Sequence, residues 1–207
     1  MTPRHIGVPL IFEEEYTFDK AAIMPRLEKI ISISKDFDNY GQTLEVGNAG
    51  STAGNHLNQI HEQPEFDDFS AWALRKAHHI LSYRWNFEFD YIEITRSWSN
   101  RHKKGGWTNY HTHANCDLVL AAYVQAPLDC GNLLIIDPME NHWFGMSTKM
   151  NLRSPLTYSY PVQDNRVYFF APFLRHATEP SKSDEDRWVL SMNFNCRKGS
   201  HEIKKHS

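Results

Sequence analysis

The chain is poor in cysteine. Its 207 residues hold only Cys116, Cys130 and Cys196, with no CxxC spacing among them. So odd and sparse a set argues against a disulfide scaffold and fits a reduced compartment. Cys116, although close to His113 in sequence, reads as a small buried residue at a strand start. Long apolar runs are missing too. No stretch is long enough to span a bilayer, and no secretory h-region follows Met1, so a cytoplasmic protein with no membrane partner is expected. Basic blocks are also lacking. The net charge is −3 and the pI about 6.4. Lys103-Lys104 is too short a cluster for a phosphate footprint, which argues against a nucleic-acid partner. There is no internal repeat and no low-complexity tract.

What is there suits one domain over 1–207: a helical N-terminal part over 1–86, a strand-rich core over 87–198 and a basic tail over 199–207. Residues 7–13 read as an opening strand, with Pro9 favouring an edge position. Residues 18–34 have helical spacing, with Asp19 as cap and Ile23, Leu27, Ile30 and Ile31 on one face. Pro25 is tolerable there if the helix begins near Met24. Residues 41–55, punctuated by Gly41, Gly47, Gly50 and Gly54, read as a connector or a substrate-facing loop. The clearest helix covers 66–85, capped by Asp67 or Asp68, with Phe69, Trp72, Ala73, Ala77, Ile80 and Leu81 at core spacing. His78 and His79 in its later turns take the default polar role.

After Trp85 the pattern becomes that of short strands: 88–98, 117–125, 133–136, 155–161, 166–171 and 187–196. Gly105-Gly106, Pro127 with Gly131, and Asp137-Pro138 supply the turns. Residues 139–154 read as irregular. A series of this kind predicts a sandwich or barrel, with the first-half helices covering one face.

Two stretches carry the chemistry. Asn109-Tyr110-His111-Thr112-His113-Ala114-Asn115 leads into the apolar strand at 117–125. Phe170-Ala171-Pro172-Phe173-Leu174-Arg175-His176 follows the strand at 166–171. On an extended chain His111 and His113 point to the same side. His176 stands at another strand end, so three imidazoles can converge on one ion, a set that suits Fe(II), Zn, Ni or Cu. The chain has twelve histidines, so H-x-H alone says little, and the third histidine makes the pair informative. Arg187 opens the last apolar strand. Turned inward, its guanidinium needs an anion such as a carboxylate. Turned outward, it has the acidic loop Asp184-Glu185-Asp186 beside it. Spacing does not choose between these.

The order of these motifs resembles the Fe(II)- and 2-oxoglutarate-dependent oxygenase superfamily, particularly a bacterial and phage family allied to the prolyl hydroxylases. The resemblance is strongest over 107–196. It is carried by Trp98-Ser99-Asn100, Tyr110 to Asn115, Ala121-Ala122-Tyr123-Val124, Gly131 to Pro138, Phe169 to His176, and Arg187. It implies a double-stranded β-helix, or jelly roll, covered on one face by helices. It implies His111 and His176 as iron ligands and Arg187 on the distal carboxylate of 2-oxoglutarate, whose decarboxylation to succinate and CO2 drives hydroxylation. Tyr123, Asn109 and Ser191 are further candidates for the co-substrate. The implied substrate is an amino-acid side chain, a peptide or a small molecule. If a phage encodes the chain, the compartment is the host cytoplasm.

The chain departs from the superfamily in one respect, because His113 stands where a carboxylate is usual. His113 itself, Asp117, or water or halide can complete the site, and His113 has the matching spacing. Asp117 otherwise caps the loop or orients a ligand. Two other readings stand beside this one: a three-histidine cupin-type dioxygenase that does not use 2-oxoglutarate, and a non-catalytic jelly roll acting as a binding or virion-associated module. Trp107 and Trp143 fit either a substrate mouth or packing. An interface is a further possible use for Trp143, and the oligomeric state stays open, a homodimer included.

Overall fold

A computed structural model describes residues 9–33, 49–52, 59–140 and 156–199. Most of the 41–55 segment, Trp143, and the rest of 139–154 beyond Glu140 lie outside the described residues.

Among the described residues nine strands form two antiparallel sheets. The larger has the order β1-β7-β4-β9-β3-β2 and the smaller β6-β5-β8. In chain order the strands are β1 (Ile11–Glu15), β2 (Ala49–Ser51), β3 (Tyr91–His102), β4 (Leu118–Gln125), β5 (Leu133–Ile136), β6 (Thr157–Tyr160), β7 (Arg166–Phe170), β8 (His176–Thr178) and β9 (Arg187–Arg197). β1 does lie at a sheet edge, as Pro9 suggested. The first 86 residues therefore supply two sheet strands as well as helices. Residues 49–51, expected in a connector, pair with β3 instead. Among the described residues no helix is long and apolar enough to cross a membrane, and the three cysteines are free thiols.

The helices α1 (Lys20–Ile33) and α2 (Asp67–His79) pack on the outer face of the large sheet. β4 shows why its sequence reads as unbroken apolar. Leu118, Leu120, Ala122 and Val124 face the helices, while Val119, Ala121 and Tyr123 face the interior between the sheets. β9 divides likewise, with Trp188, Leu190, Met192 and Phe194 on the helix side.

Two helix expectations are corrected. α1 begins at Lys20, five residues before Pro25. Asp19 caps it by accepting from the Ala22 amide at 3.2 Å, and the helix interior absorbs the hydrogen bond that proline cannot make. α2 is entered from a 3-10 turn, Pro64–Phe66, so its cap position is Phe66 and neither aspartate caps through its side chain. Asp67 and Asp68 sit in the first turn, where negative charge suits the helix dipole. A π-helical turn, Ile80–Arg84, continues α2. His78 and His79 are exposed.

β3 contains a bulge that decides the site. Its register on β9 shifts between Ile94 and Arg96. Before the shift Ile92 and Ile94 pack toward the helices. After it Trp98, Asn100 and His102 line the interior cavity. One extra residue exchanges the two faces of a strand.

Candidate metal centre and interior cavity

The segment carrying His111 and His113 is irregular, yet it is held firmly. His111 exchanges two backbone hydrogen bonds with His176, both 3.0 Å, and the His113 amide donates to the Pro172 carbonyl at 3.0 Å. The chain reverses at Asn115 with φ +58°, a conformation asparagine tolerates. Its carbonyl accepts from Asn195 Nδ2 at 3.0 Å. His176 does not end a strand. It opens β8, a three-residue strand paired with β5.

The three imidazoles converge. Their possible ligand atoms lie within 4.8 Å of one another, an arrangement that can hold a metal ion. His113 Nε2 and His176 Nε2 are 3.3 Å apart. Ligands about 2.1 Å from one ion at 90–110° stand roughly 3.0–3.4 Å apart, so this spacing fits a shared ion. The other ring nitrogens are engaged. His111 Nδ1 lies 2.8 Å from the Asn109 carbonyl, and His176 Nδ1 lies 2.9 Å from the Leu174 carbonyl. Both contacts fix the tautomer that offers Nε2 to a metal. Trp98 stacks on His113 at 5.5 Å and 22°, and Arg96 lies over Trp98. Burial, then neighbouring imidazole charge, holds His113 down to about 3 and His176 well below its usual range. Both are therefore neutral, the form that ligates.

Asp117 is elsewhere. Its Oδ2 accepts from the Cys196 amide at 2.8 Å and its own amide donates to Phe194, so it ties the start of β4 to β9. It is not in the histidine cluster. Asn109 is held locally and is not among the cavity-lining residues. Its side chain accepts from the Tyr110 amide, and its carbonyl serves His111. Cys116 is half-buried beside the interior core, and burial pushes its thiol up to about 11.

From the histidines a cavity of about 50 Å³ runs inward, with Tyr123 and Ser191 among its lining residues. Behind the lining lies Arg187, fully buried. It points inward, away from the acidic loop, whose Asp184 and Asp186 pair with Lys104 and Arg101 instead. Its guanidinium donates to the carbonyls of Cys130, Gly131 and Glu179 and to Thr178 Oγ1. Nε is buried without a partner. Among the described residues no carboxylate lies within ion-pair distance of it. A buried charge without a counter-ion is costly, so the cavity suits an anion. Tyr123 stands next to this charge. Burial pushes its hydroxyl up by more than the Arg187 charge pulls it down, so it stays protonated and able to donate.

Sequence reasoning missed His102. It is 1 % exposed and also lines the cavity, because the β3 bulge turns it inward. Its presence near a motif was visible, but its face was not.

Residues 96–194, a little under half of the chain, match the model of the family described as "Putative 2OG-Fe(II) oxygenase". That stretch is similar to a family of oxidoreductases that use 2-oxoglutarate and Fe(II). No curated protein matches it. Its fold is similar to that of a viral collagen prolyl hydroxylase from Paramecium Bursaria Chlorella virus-1, solved as a 2OG complex, at 14 % identity and TM-score 0.55 over 90 % of this chain and 96 % of that one. A prolyl hydroxylase from Trichoplax adhaerens, solved with a hypoxia inducible factor peptide, gives 10 % identity and TM-score 0.54 over 90 % and 83 %. HygX from Streptomyces hygroscopicus, solved with nickel and 2-oxoglutarate, gives 10 % identity and TM-score 0.52 over 90 % and 82 %. At such identities the likeness is one of fold: a double-stranded β-helix.

Proposed function

We propose that the protein hydroxylates an amino-acid side chain or peptide, coupled to decarboxylation of 2-oxoglutarate. His111, His113 and His176 hold Fe(II), and Arg187 supplies the charge for the distal carboxylate. The observation that carries the reading is the pairing of a convergent three-imidazole cluster with a buried, anion-deficient arginine behind one cavity.

Bound iron with 2-oxoglutarate supplies an oxidant able to remove hydrogen from an unactivated carbon. The remaining work falls to the chain. The Asn109 and Leu174 carbonyls keep the His111 and His176 rings aimed at a common point. Tyr123 donates to the anion, and Ser191 lies on the same strand face as Arg187, two residues past Val189 in the interior core. The apolar lining, with Val119, Leu133, Phe170 and Val189, limits water around the reacting groups. Next to the histidines in sequence, Tyr110 and Phe173 are exposed, and Arg175 lies over Tyr110 at 5.3 Å. Such an exposed aromatic and cationic surface fits an extended peptide better than a free metabolite.

The test is anaerobic titration of apoprotein with Fe(II), then 2-oxoglutarate. A visible charge-transfer band that needs both components is expected. Iron binding without such a band would overturn the reading in favour of a three-histidine dioxygenase that does not use 2-oxoglutarate. Three neutral ligands are the observation favouring that alternative. Failure to bind iron would leave a non-catalytic module.

A further inference from the structure

One buried polar group in the cavity has no role in the reading above. His102 is the last residue of β3 and stands in register with Arg187 on β9. Its Nε2 lies 2.7 Å from Thr108 Oγ1. Its Nδ1 is buried and has no partner among the described residues. Buried nitrogens are rarely left this way unless a ligand or water completes them.

The neighbouring threonine is poised in the same manner. Thr178 Oγ1 accepts from Arg187 Nη2 at 2.9 Å and from the Thr108 amide at 2.8 Å. Two accepted hydrogen bonds use both lone pairs of a hydroxyl, so its proton is left to donate. Thr178 lines the cavity beside His102. Arg187 commits Nη1 to carbonyls and turns Nη2 to Thr178, so its charge stands behind these two groups.

We propose that His102 donates Nδ1–H to the distal carboxylate of the 2-oxo dicarboxylate co-substrate, beside the Thr178 hydroxyl and backed by the Arg187 charge. The proposal rests on the 2-oxoglutarate reading of the cavity. Thr108 gives its hydroxyl proton to Nε2 and so fixes the tautomer that carries hydrogen on Nδ1. Burial first, and then the Arg187 charge, holds His102 well below its usual range, in keeping with a neutral donor. No bond is made or broken at His102, which acts as a binding residue.

Two near-isosteres separate this role from mere packing. His102→Asn places an amide nitrogen near the Nδ1 position. His102→Gln places one near Nε2, which keeps the Thr108 contact and loses the donor. 2-Oxoglutarate is titrated into each Fe(II)-loaded variant without oxygen, and iron affinity is measured separately. The Gln variant is expected to bind 2-oxoglutarate roughly tenfold or more weakly, in line with loss of a hydrogen bond to a charged group. The Asn variant should stay within about threefold of the wild type, and all three proteins should bind iron alike. Equal affinities for the two variants would overturn the proposal, as would an undiminished Gln variant. If wild-type protein binds iron but not 2-oxoglutarate, the co-substrate reading fails first and His102 falls with it. A readout on unaltered protein covers variants that fold poorly. In Zn(II)-loaded wild type, imidazole ¹H–¹⁵N spectra should show His102 protonated at Nδ1 and shifted by 2-oxoglutarate. Protonation at Nε2, or no shift at saturation, would refute the role.

Discussion

Removing the Arg187 guanidinium should unfold the protein more readily as well as weaken 2-oxoglutarate binding. In Arg187→Met the carbonyls of Cys130, Gly131 and Glu179 and the Thr178 hydroxyl all lose a donor. These groups join the turn before β5 to the end of β8, so the guanidinium fastens the small sheet to β9. A single buried acceptor left unmade costs about 1–3 kcal/mol. Four would sum higher, but relief from burying a charge offsets part of that. Truncating one side of a buried charged contact costs about 3–5 kcal/mol in all. For a chain of this size each kcal/mol moves Tm by about 2–4 °C. The expected fall is therefore roughly 6–20 °C, measured by thermal and urea unfolding of apoprotein. A loss under about 1 kcal/mol would refute the idea that Arg187 holds the two sheets together. The same assay separates structure from binding. Iron-loaded wild type should gain about 2.7 kcal/mol at 2-oxoglutarate one hundredfold above Kd, and Arg187→Met should gain none while still binding iron.

Four other outcomes are expected. His176→Ala should lose iron, seen as metal content after reconstitution, and unchanged content would sink the ligand assignment. His113→Asp should bind iron at least as well as wild type if position 113 completes the site; a loss would point to geometry built for imidazole. Gly131→Ala should destabilise by about 1–3 kcal/mol, because φ is +81° and an added Cβ would stand 2.6 Å from the Glu179 carbonyl oxygen; an unchanged urea midpoint would show that the turn can relax. Apoprotein should also weaken as pH falls. His102, His113 and His176 titrate lower folded than unfolded, so below about 6.5 the unfolded chain binds protons that the folded chain refuses. Each such histidine removes about 1.4 kcal/mol per pH unit below 6.5, a loss that for His113 continues down to about 3. A flat stability curve between pH 6.5 and 5 would contradict their burial as neutral groups.

The sequence pattern located strands well where each side of a strand has its own neighbours. β4 and β9 are legible because both faces are buried, and β5 because turn residues bracket it. β8 was missed because three residues carry no period, although it holds His176. β2 was missed because Ala49, Gly50 and Ser51 look like loop and become strand by pairing with β3. The histidine cluster was readable from type and spacing. The destinations of Asp117 and Asn109 were not, since a short polar side chain beside a turn finds backbone partners that spacing cannot foresee. His102 was hidden because the expected strand stopped at 98, whereas β3 runs to His102, and because of the bulge at residues 94–96. Periodicity assumes constant alternation, and one inserted residue reverses the sign of every later position.

The reciprocal hydrogen bonds between His111 and His176 bear on how the ion is acquired. The His111 and His176 backbones are tied to each other by hydrogen bonds that involve no ion, and the Pro172 carbonyl secures the His113 backbone. The entropy of assembling the site is therefore spent during folding, not at loading. A chelator should strip such a centre and leave a folded, reloadable shell, unlike small zinc modules that collapse when emptied.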